Sequence, residues 1–180
     1  MNKQILFIQG GGNDGYNADK ALVVSLQKAL GKEYDVNYPE IKPDEALHDF
    51  GWLKQIGKLI SDIKSDIILV GHSLGASMLL KYLSENLVSK KIDAIFLIAT
   101  PFWNGDEDWQ KGLKLKDNFA ETLPVISMFF YHCKDDEEAP FSHLDHYKQK
   151  LPRATFREIQ TGGHQFNNDL TLVAKDIQSL

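Results

Sequence analysis

The residues of this chain best suited to chemistry centre on a serine between two glycines, in Gly71-His72-Ser73-Leu74-Gly75. This G-x-S-x-G pattern directly follows the apolar run Ile67-Ile68-Leu69-Val70 and precedes a helical pattern over about 74–87. A serine in a sharp strand-to-helix turn projects its hydroxyl out of the sheet, where it can attack a carbonyl carbon. The flanking glycines let the strand and the helix approach each other without Cβ clashes. The pattern therefore predicts that Ser73 is a nucleophile; the alternative is a chance match in a loop.

A serine hydroxyl needs a base within hydrogen-bond reach, and histidine suits this task near neutral pH. His164 is the strongest candidate, because its loop Thr161-Gly162-Gly163-His164 follows a predicted strand over 154–159. In parallel α/β sheets, ligands bind beyond the carboxyl ends of the strands, where this loop belongs. The other histidines are expected to be structural or exposed: His72 packs beside the nucleophile, His132 is structural or lines the pocket, His48 lies exposed on a helix, and His143 and His146 lie on a solvated helix face rather than on a metal.

The imidazole in turn needs a carboxylate that fixes its tautomer and stabilises its cation. Asp135 and Asp136 both follow a predicted strand over Val125–Tyr131, again at a carboxyl end. We favour Asp136 because it lies four residues before Pro140, which precedes a predicted helix. The neighbours Asp135, Glu137 and Glu138 are expected to be solvated residues of an acidic loop.

The glycine-rich loop Gln9-Gly10-Gly11-Gly12 follows the first predicted strand. Acyl transfer builds negative charge on a carbonyl oxygen, and backbone N–H groups must face that oxygen. We expect one oxyanion donor to be the N–H of Leu74 and the other to be the N–H of Gly11, with Gly12 as the second choice. A phosphate cradle over Gly10–Gly15 is the rival interpretation. We expect no helix packed tightly against the strand there, and the Gly-Lys-Ser/Thr ending of a P-loop is missing.

Strand-like and helix-like segments alternate along the chain, which predicts one α/β domain over residues 1–180. The apolar runs predict about six mostly parallel strands in the order 2-1-3-4-5-6, with helices on both faces as in a three-layer sandwich. The second strand is expected over Tyr34–Ile41. One helix is expected to begin with Asp44 as its cap and to bury Leu47, Phe50, Leu53, Ile56 and Ile60.

The segment 100–122 lies where a cap could insert, and it carries aromatic residues among charges. One interpretation is a short flap whose Phe102, Trp103 and Trp109, together with Gly12, line a substrate pocket. The alternatives are a loop that its own aromatic residues hold against the domain, or a surface that binds a partner. About twenty residues can form a flap but not a lid domain.

These motifs resemble the α/β-hydrolase superfamily, and more narrowly the small serine hydrolases of the retinoblastoma-binding type. The chain order of serine, acid and histidine is the one that α/β-hydrolases use. The resemblance implies an esterase or amidase for small substrates, without a leading antiparallel hairpin or a full lid domain. It covers nearly the whole chain and rests on Gly10-Gly11-Gly12, Gly71-His72-Ser73-Leu74-Gly75, Asp136 before Pro140, and Gly163-His164.

Two positions depart from the superfamily pattern. Gln9 stands where histidine is common, and Ala139 stands where valine is common before the proline. Neither change removes a catalytic group. The first bears on how the oxyanion loop is held.

Composition and net charge limit the classes of partner and the cellular location that we expect. The 180 residues carry a formal net charge of −5, which argues mildly against nucleic acid or an anionic membrane as a partner. The single cysteine, Cys133, forbids an internal disulfide and fits a reducing, cytoplasmic location. The apolar run Ile5–Ile8 is too short for a signal peptide, and no window reaches the length of a transmembrane helix. A protein partner remains an open possibility.

The sequence thus predicts hydrolysis of a small ester, thioester or amide through an acyl-enzyme, with no metal and no organic cofactor. Ser73 attacks, His164 transfers the proton and Asp136 orients His164. One alternative is a binding or regulatory protein on a hydrolase scaffold, because a fold alone does not fix a function. Another is an acyltransferase or a peroxidase on the same scaffold.

Overall fold

The computed structural model describes residues 2–12 and 14–180, so Asn13 of the glycine-rich segment lies outside the described residues. Six parallel strands form one sheet in the order β2-β1-β3-β4-β5-β6, which confirms the predicted fold class and strand order. The strands are β1 Lys3–Ile8, β2 Tyr34–Asn37, β3 Ile67–His72, β4 Ile92–Ile98, β5 Ser127–Cys133 and β6 Thr155–Ile159.

Helices cover both faces of the sheet because the central strands β1, β3 and β4 carry buried apolar side chains on both of their faces. On one face, Leu6 and Ile8 of β1 share a core with α3, α4, α5 and α6. On the other face, Ile5 and Phe7 share a core with α2 and α7. The helices are α1 Gly15–Ala18, α2 Lys20–Leu30, α3 Trp52–Asp62, α4 Leu74–Glu85, α5 Phe119–Thr122, α6 Ser142–Lys150 and α7 Thr171–Gln178.

The prediction that a helix begins at Asp44 is wrong. Residues 44–51 form turns, and α3 begins only at Trp52. Phe50 and Gly51 have positive φ angles of 52° and 71°, a left-handed conformation that no helix can pass through. The Asp49 side chain accepts hydrogen bonds from the N–H groups of Gly51 at 3.1 Å and Leu53 at 3.2 Å, and so supports the new start. Leu47 is consequently 45% exposed rather than buried.

Segment 100–122 packs onto the domain with part of its length. Leu113 and Phe119 are buried in the core beside α4, and a short 3-10 helix spans Asp108–Gln110. Phe102 and Trp103 are half-buried, whereas Trp109 is 47% exposed. The segment is therefore anchored at its ends and open to solvent in its middle. Among the described helices, none has the length and apolarity needed to cross a bilayer.

Candidate active site

Ser73 occupies the turn between β3 and α4 in a strained backbone conformation, with φ 50° and ψ −123°. Non-glycine residues rarely adopt positive φ, and such strain concentrates at functional sites. Steric crowding requires glycine at both flanking positions. A Cβ on Gly71 would lie 2.7 Å from Ala76 Cα, and one on Gly75 would lie 2.7 Å from the carbonyl oxygen of Ile8. The sequence therefore folds here into the tight strand-to-helix turn that the motif predicts.

His164 and Asp136 meet at the carboxyl ends of β5 and β6. The Nδ1 atom of His164 lies 2.9 Å from Oδ1 and 3.0 Å from Oδ2 of Asp136, and both residues are buried. The carboxylate also accepts hydrogen bonds from the backbone N–H groups of Glu138 at 2.9 Å and Ala139 at 2.8 Å. These contacts fix the imidazole with Nδ1 toward the acid, which leaves Nε2 for proton transfer.

His132 is a second imidazole on the same carboxylate. Its Nε2 lies 3.3 Å from Oδ2 of Asp136 and 2.8 Å from the carbonyl oxygen of Ala139. Burial alone would raise the pKa of Asp136, but hydrogen bonds from His132, His164 and Ala139 outweigh it and hold that pKa well below its usual range. Asp136 therefore stays ionised at any pH at which the site could work.

Burial alone would lower the pKa of His164. The hydrogen bond and charge of Asp136, with the charges of Glu138 and Asp19, outweigh this effect and raise that pKa above the ordinary imidazole value of 6.5. Its Nε2 lies 3.6 Å from Oε2 of Glu138. His164 and Ser73 line one cavity of about 220 Å³, called the smaller cavity below. In the described residues no hydrogen bond joins the two side chains directly.

Asp135 is solvated, as predicted, and it also contacts the loop that carries His164. Its carboxylate accepts hydrogen bonds from the N–H groups of Gly162 at 3.1 Å and Gly163 at 2.9 Å. These backbone hydrogen bonds, that from Gly163 first, lower the pKa of Asp135. The two neighbouring aspartates thus have different contacts: Asp136 contacts the His164 ring, and Asp135 binds the backbone of the loop that carries this ring.

The two predicted oxyanion residues lie against each other. A Cβ on Gly11 would lie 2.7 Å from Leu74 Cδ2 and 3.1 Å from Leu74 Cβ, so only glycine fits here without displacing Leu74. Neither backbone N–H has a hydrogen-bond acceptor among the described residues. Gln9, which replaces the common histidine, is buried, and its Oε1 accepts a 2.8 Å hydrogen bond from the N–H of Ile41. Gln9 therefore ties the loop to the segment after β2.

Asp19 lines the same cavity as Ser73 and His164, although the sequence did not single it out. Its carboxylate is buried and accepts a 2.7 Å hydrogen bond from the N–H of Gly10. It also lies 2.9 Å from Nδ1 of His72 and accepts a 3.2 Å hydrogen bond from Nε2 of Gln165. Nε2 of His72 lies 3.0 Å from the carbonyl oxygen of His164. The pair thus connects the oxyanion loop, the nucleophile turn and the His164 loop.

The charge state of Asp19 follows from these contacts. Burial would raise its pKa, but the hydrogen bond and charge of His72, with hydrogen bonds from Gly10 and Gln165, outweigh burial and lower it. Both ring nitrogens of His72 face oxygen acceptors.

A larger cavity of about 430 Å³ adjoins Ser73 on the other side. Of the predicted pocket residues, it is lined by Gly12, Trp103 and Trp109, but not by Phe102. Several other residues that line this cavity were not predicted, because they lie in the turns before α3 and in the acidic loop. The full lining comprises Gln9, Gly11, Gly12, Pro43, Glu45, Phe50, Trp52, Ser73, Leu74, Trp103, Trp109, Leu113 and Glu138.

Phe102 instead anchors the start of segment 100–122 to α6. Its ring stacks on His146 with 4.8 Å between ring centroids, and its N–H donates a 3.1 Å hydrogen bond to Nδ1 of His143. Burial, with the nearby charges of His132 and His146, lowers the pKa of His143, which suits a neutral acceptor. The solvated face predicted for this pair is therefore wrong for His143. The described residues contain no group of three or more potential metal-ligating side chains.

Comparisons with known proteins show the family and the fold of the chain. A family model described as serine hydrolase matches residues 23–171. The ydeN gene product of Bacillus subtilis (strain 168) is 27% identical over 125 residues, which cover 63% of this chain and 60% of that protein. Its crystal structure covers 99% of this chain and 98% of its own, with a TM-score of 0.68 and 21% identity. The sequence match thus spans less than two thirds of this relative.

Two further solved structures share the fold at lower identity. Est1E from Butyrivibrio proteoclasticus has a TM-score of 0.71 at 15% identity, over 99% of this chain and 86% of its own. A thioesterase domain from the curacin biosynthetic pathway has a TM-score of 0.71 at 14% identity, over 98% of this chain and 91% of its own. These similarities show an α/β-hydrolase fold.

Proposed function

Because the chain belongs to the serine hydrolase family, we propose that it hydrolyses a small carboxylic ester, thioester or amide through an acyl-enzyme. The observation that carries the proposal is the placement of Ser73. The strained serine shares a cavity with His164, whose ring Asp136 holds by a 2.9 Å contact. A strained nucleophile, an oriented base and a buried acid are the parts that acyl transfer needs.

In the first half-reaction, the Oγ atom of Ser73 attacks the substrate carbonyl carbon while Nε2 of His164 takes the hydroxyl proton. A bond forms between Oγ and carbon, and the carbonyl electron pair moves onto oxygen. The oxyanion faces the N–H group of Gly11, in the loop after β1, and that of Leu74 at the start of α4. The dipole of α4 also favours negative charge there. Collapse of the tetrahedral species expels the leaving group, which receives the proton from His164.

In the second half-reaction, water replaces the leaving group. His164 takes a proton from the water, whose oxygen attacks the acyl carbon. The second tetrahedral species collapses as the bond between that carbon and Oγ of Ser73 breaks, His164 returns the proton to Oγ, and the carboxylic acid is released. Asp136 stays ionised throughout and stabilises the imidazolium that forms in each half. Its low pKa supports this role, because a protonated acid could not do so.

The proposal is tested by labelling the purified protein with a fluorophosphonate probe, which reacts only with an activated serine. We expect the intact protein to be labelled, and Ser73→Ala and His164→Ala to lose labelling. Ser84→Ala is a matched control that should keep its labelling, because this serine lies further along the same helix and donates its hydroxyl to the carbonyl oxygen of Lys81. An intact, folded protein that resists the probe contradicts the mechanism, as does labelling that survives in Ser73→Ala.

A further inference from the structure

The two cavities that meet at Ser73 would hold different parts of a bound substrate. They share Gly11, Ser73 and Glu138, but only the smaller one is lined by His164. If the mechanism proposed above holds, His164 must return its proton to the leaving group. The leaving group therefore lies in the smaller cavity, and the acyl group lies in the larger one of about 430 Å³.

The indole rings of Trp103 and Trp109 present apolar surface to the larger cavity. Their centroids are 5.3 Å apart at 71°. Nε1 of Trp103 donates a 3.0 Å hydrogen bond to Oγ of Ser77, and Nε1 of Trp109 donates a 2.6 Å hydrogen bond to Glu107. Because both N–H groups are occupied, these rings offer an acyl group only their edges and π faces. An indole face attracts a cation within about 6 Å of its centroid.

The charges around the larger cavity have one sign. Among the described residues that line it, the charged side chains are Glu45 and Glu138, and none is a lysine or an arginine. The smaller cavity adds Asp14 and the buried Asp19, also without a lysine or arginine in its described lining. Lys111, in the exposed part of segment 100–122, lies 2.6 Å from Asp108. An anionic acyl group would thus face carboxylates with no countercharge in the wall, whereas a cationic one would be attracted.

We propose that the larger cavity selects a small acyl group that carries a positive charge, such as a substituted ammonium. Glu45 and Glu138 supply the charge complement, and the indoles of Trp103 and Trp109 supply the π faces. The inference rests on the hydrolase function proposed above and specifies its substrate class. The reaction itself is unchanged: the cation takes no part in the proton transfers.

The test uses three para-nitrophenyl esters with acyl chains of equal length, ending in trimethylammonium, tert-butyl or carboxylate. The trimethylammonium and tert-butyl groups have the same shape, so their comparison isolates charge. An exposed ion pair and a cation–π contact each change affinity by about fivefold at most. We therefore expect kcat/KM for the cationic ester to be about tenfold above the neutral ester, and the anionic ester to be about tenfold below it.

Salt and substitutions then assign the preference to the cavity. Raising the ionic strength should lower the ratio of cationic to neutral kcat/KM, because charges near the surface are screened over about 8 Å at 0.15 M salt. Glu45→Gln, Glu138→Gln and Trp109→Leu should each lower the same ratio, in which any general loss of activity cancels. Glu33→Gln is the matched control, since it removes one exposed carboxylate at the opposite, amino-terminal edge of the sheet beside Lys3.

The outcomes separate the two proposals. Equal kcat/KM for all three esters, or a preference that Glu33→Gln lowers as much as Glu45→Gln does, overturns the charge selection while the hydrolase function stands. If none of the esters is hydrolysed and the fluorophosphonate probe does not label Ser73, both proposals are overturned. A cationic preference that falls with salt and in the cavity variants supports the inference.

Discussion

Asp19 and His72 form a buried contact beside Ser73, with 2.9 Å between Oδ1 and Nδ1 and only 1% exposure of each side chain. The two residues are 53 positions apart in the chain. One member bonds to the oxyanion loop through the N–H of Gly10, and the other bonds to the carbonyl oxygen of His164. The relative position of these two loops therefore depends on the pair.

We expect Asp19→Asn to lower both the stability and the activity of the protein. The amide can no longer accept all the hydrogen bonds from Gly10, His72 and Gln165, and a buried polar group left without its partner costs about 1–3 kcal/mol. The free energy of unfolding should fall by about that amount in urea denaturation. Because the two loops lose their common anchor, the rate of fluorophosphonate labelling per folded molecule should also fall, by about tenfold or more, as a misplacement of about 1 Å can cost 100-fold.

Asp176→Asn provides the control for this prediction. Asp176 is also largely buried and binds Tyr131 and Arg157 at 2.6 and 2.9 Å, but it lies on α7 away from the cavities at Ser73. Its loss should destabilise the fold without changing the labelling rate of the folded fraction. If both variants slow labelling equally, Asp19 has only a general structural role.

The sequence predicted the parts of the site that follow strands directly. Ser73, Asp136 and His164 each lie at the carboxyl end of a strand, where local pattern and the rules of parallel sheets agree. Asp19 carries no such signal. It lies between α1 and α2 among helical residues, where an aspartate resembles a solvated or capping residue. Only the tertiary fold brings it against His72.

The wrong helix start at Asp44 has a different cause. Leu47 and Phe50 have helical spacing with Leu53, but Phe50 and Gly51 adopt left-handed conformations. Gly51 was a visible signal, because glycine favours such conformations at the end of a regular element. The consequence for the site is large: the turns place Glu45 and Phe50 in the wall of the larger cavity instead of on a helix.

The acid limb of the pH profile should lie above the ordinary imidazole range. His164 must be neutral at Nε2 to accept the serine proton, and its pKa is raised above 6.5. We therefore expect kcat/KM for a neutral ester to rise with pH and to reach its plateau only above that value. Glu138→Gln removes one of the raising charges, so its acid limb should move to lower pH. An unchanged or upward-shifted limb in this variant contradicts the assigned cause.

The raised pKa of His164 also makes the free energy of unfolding depend on pH, with the opposite trend to activity. Because the folded-state pKa of His164 is raised, its protonation stabilises the fold fully below the unfolded pKa. This contribution is lost as pH rises through the folded pKa. Activity should thus increase over the pH range in which this part of the stability disappears, and urea denaturation at several pH values measures the loss. His164→Ala should remove this pH dependence.

Gly11→Ala should damage catalysis more than folding. The new Cβ would lie 2.7 Å from Leu74 Cδ2 and 3.1 Å from Leu74 Cβ, which separates the two oxyanion donors. Loss of one such donor lowers kcat by about 100-fold or more, and we expect a kcat loss of about that size with little change in KM. Gly31→Ala is the comparison: its Cβ meets nothing within 4 Å and it lies after α2, away from the site, so its φ of 77° should cost stability without lowering kcat. Equal kcat in Gly11→Ala and the intact protein contradicts the oxyanion assignment.

The neighbours Asp135 and Asp136 should respond to substitution very differently. In Asp136→Asn, the amide can no longer hold the correct imidazole tautomer or stabilise the imidazolium, and kcat should fall by about 10,000-fold. In Asp135→Asn, one of the acceptors for Gly162 and Gly163 is lost, but the ring contact of His164 remains. The loss of kcat there should stay below about tenfold, because an exposed carboxylate that contacts only the loop backbone contributes little.

The two variants are matched in charge, size and position, so the ratio of their kcat values decides which aspartate acts on His164. Burial explains why the ratio should be large: the Asp136 carboxylate is buried against His132 and His164, whereas Asp135 is exposed. Steady-state hydrolysis of a neutral ester measures the ratio, and circular dichroism checks that both variants fold. A larger loss in Asp135→Asn than in Asp136→Asn would reverse the assignment of the acid.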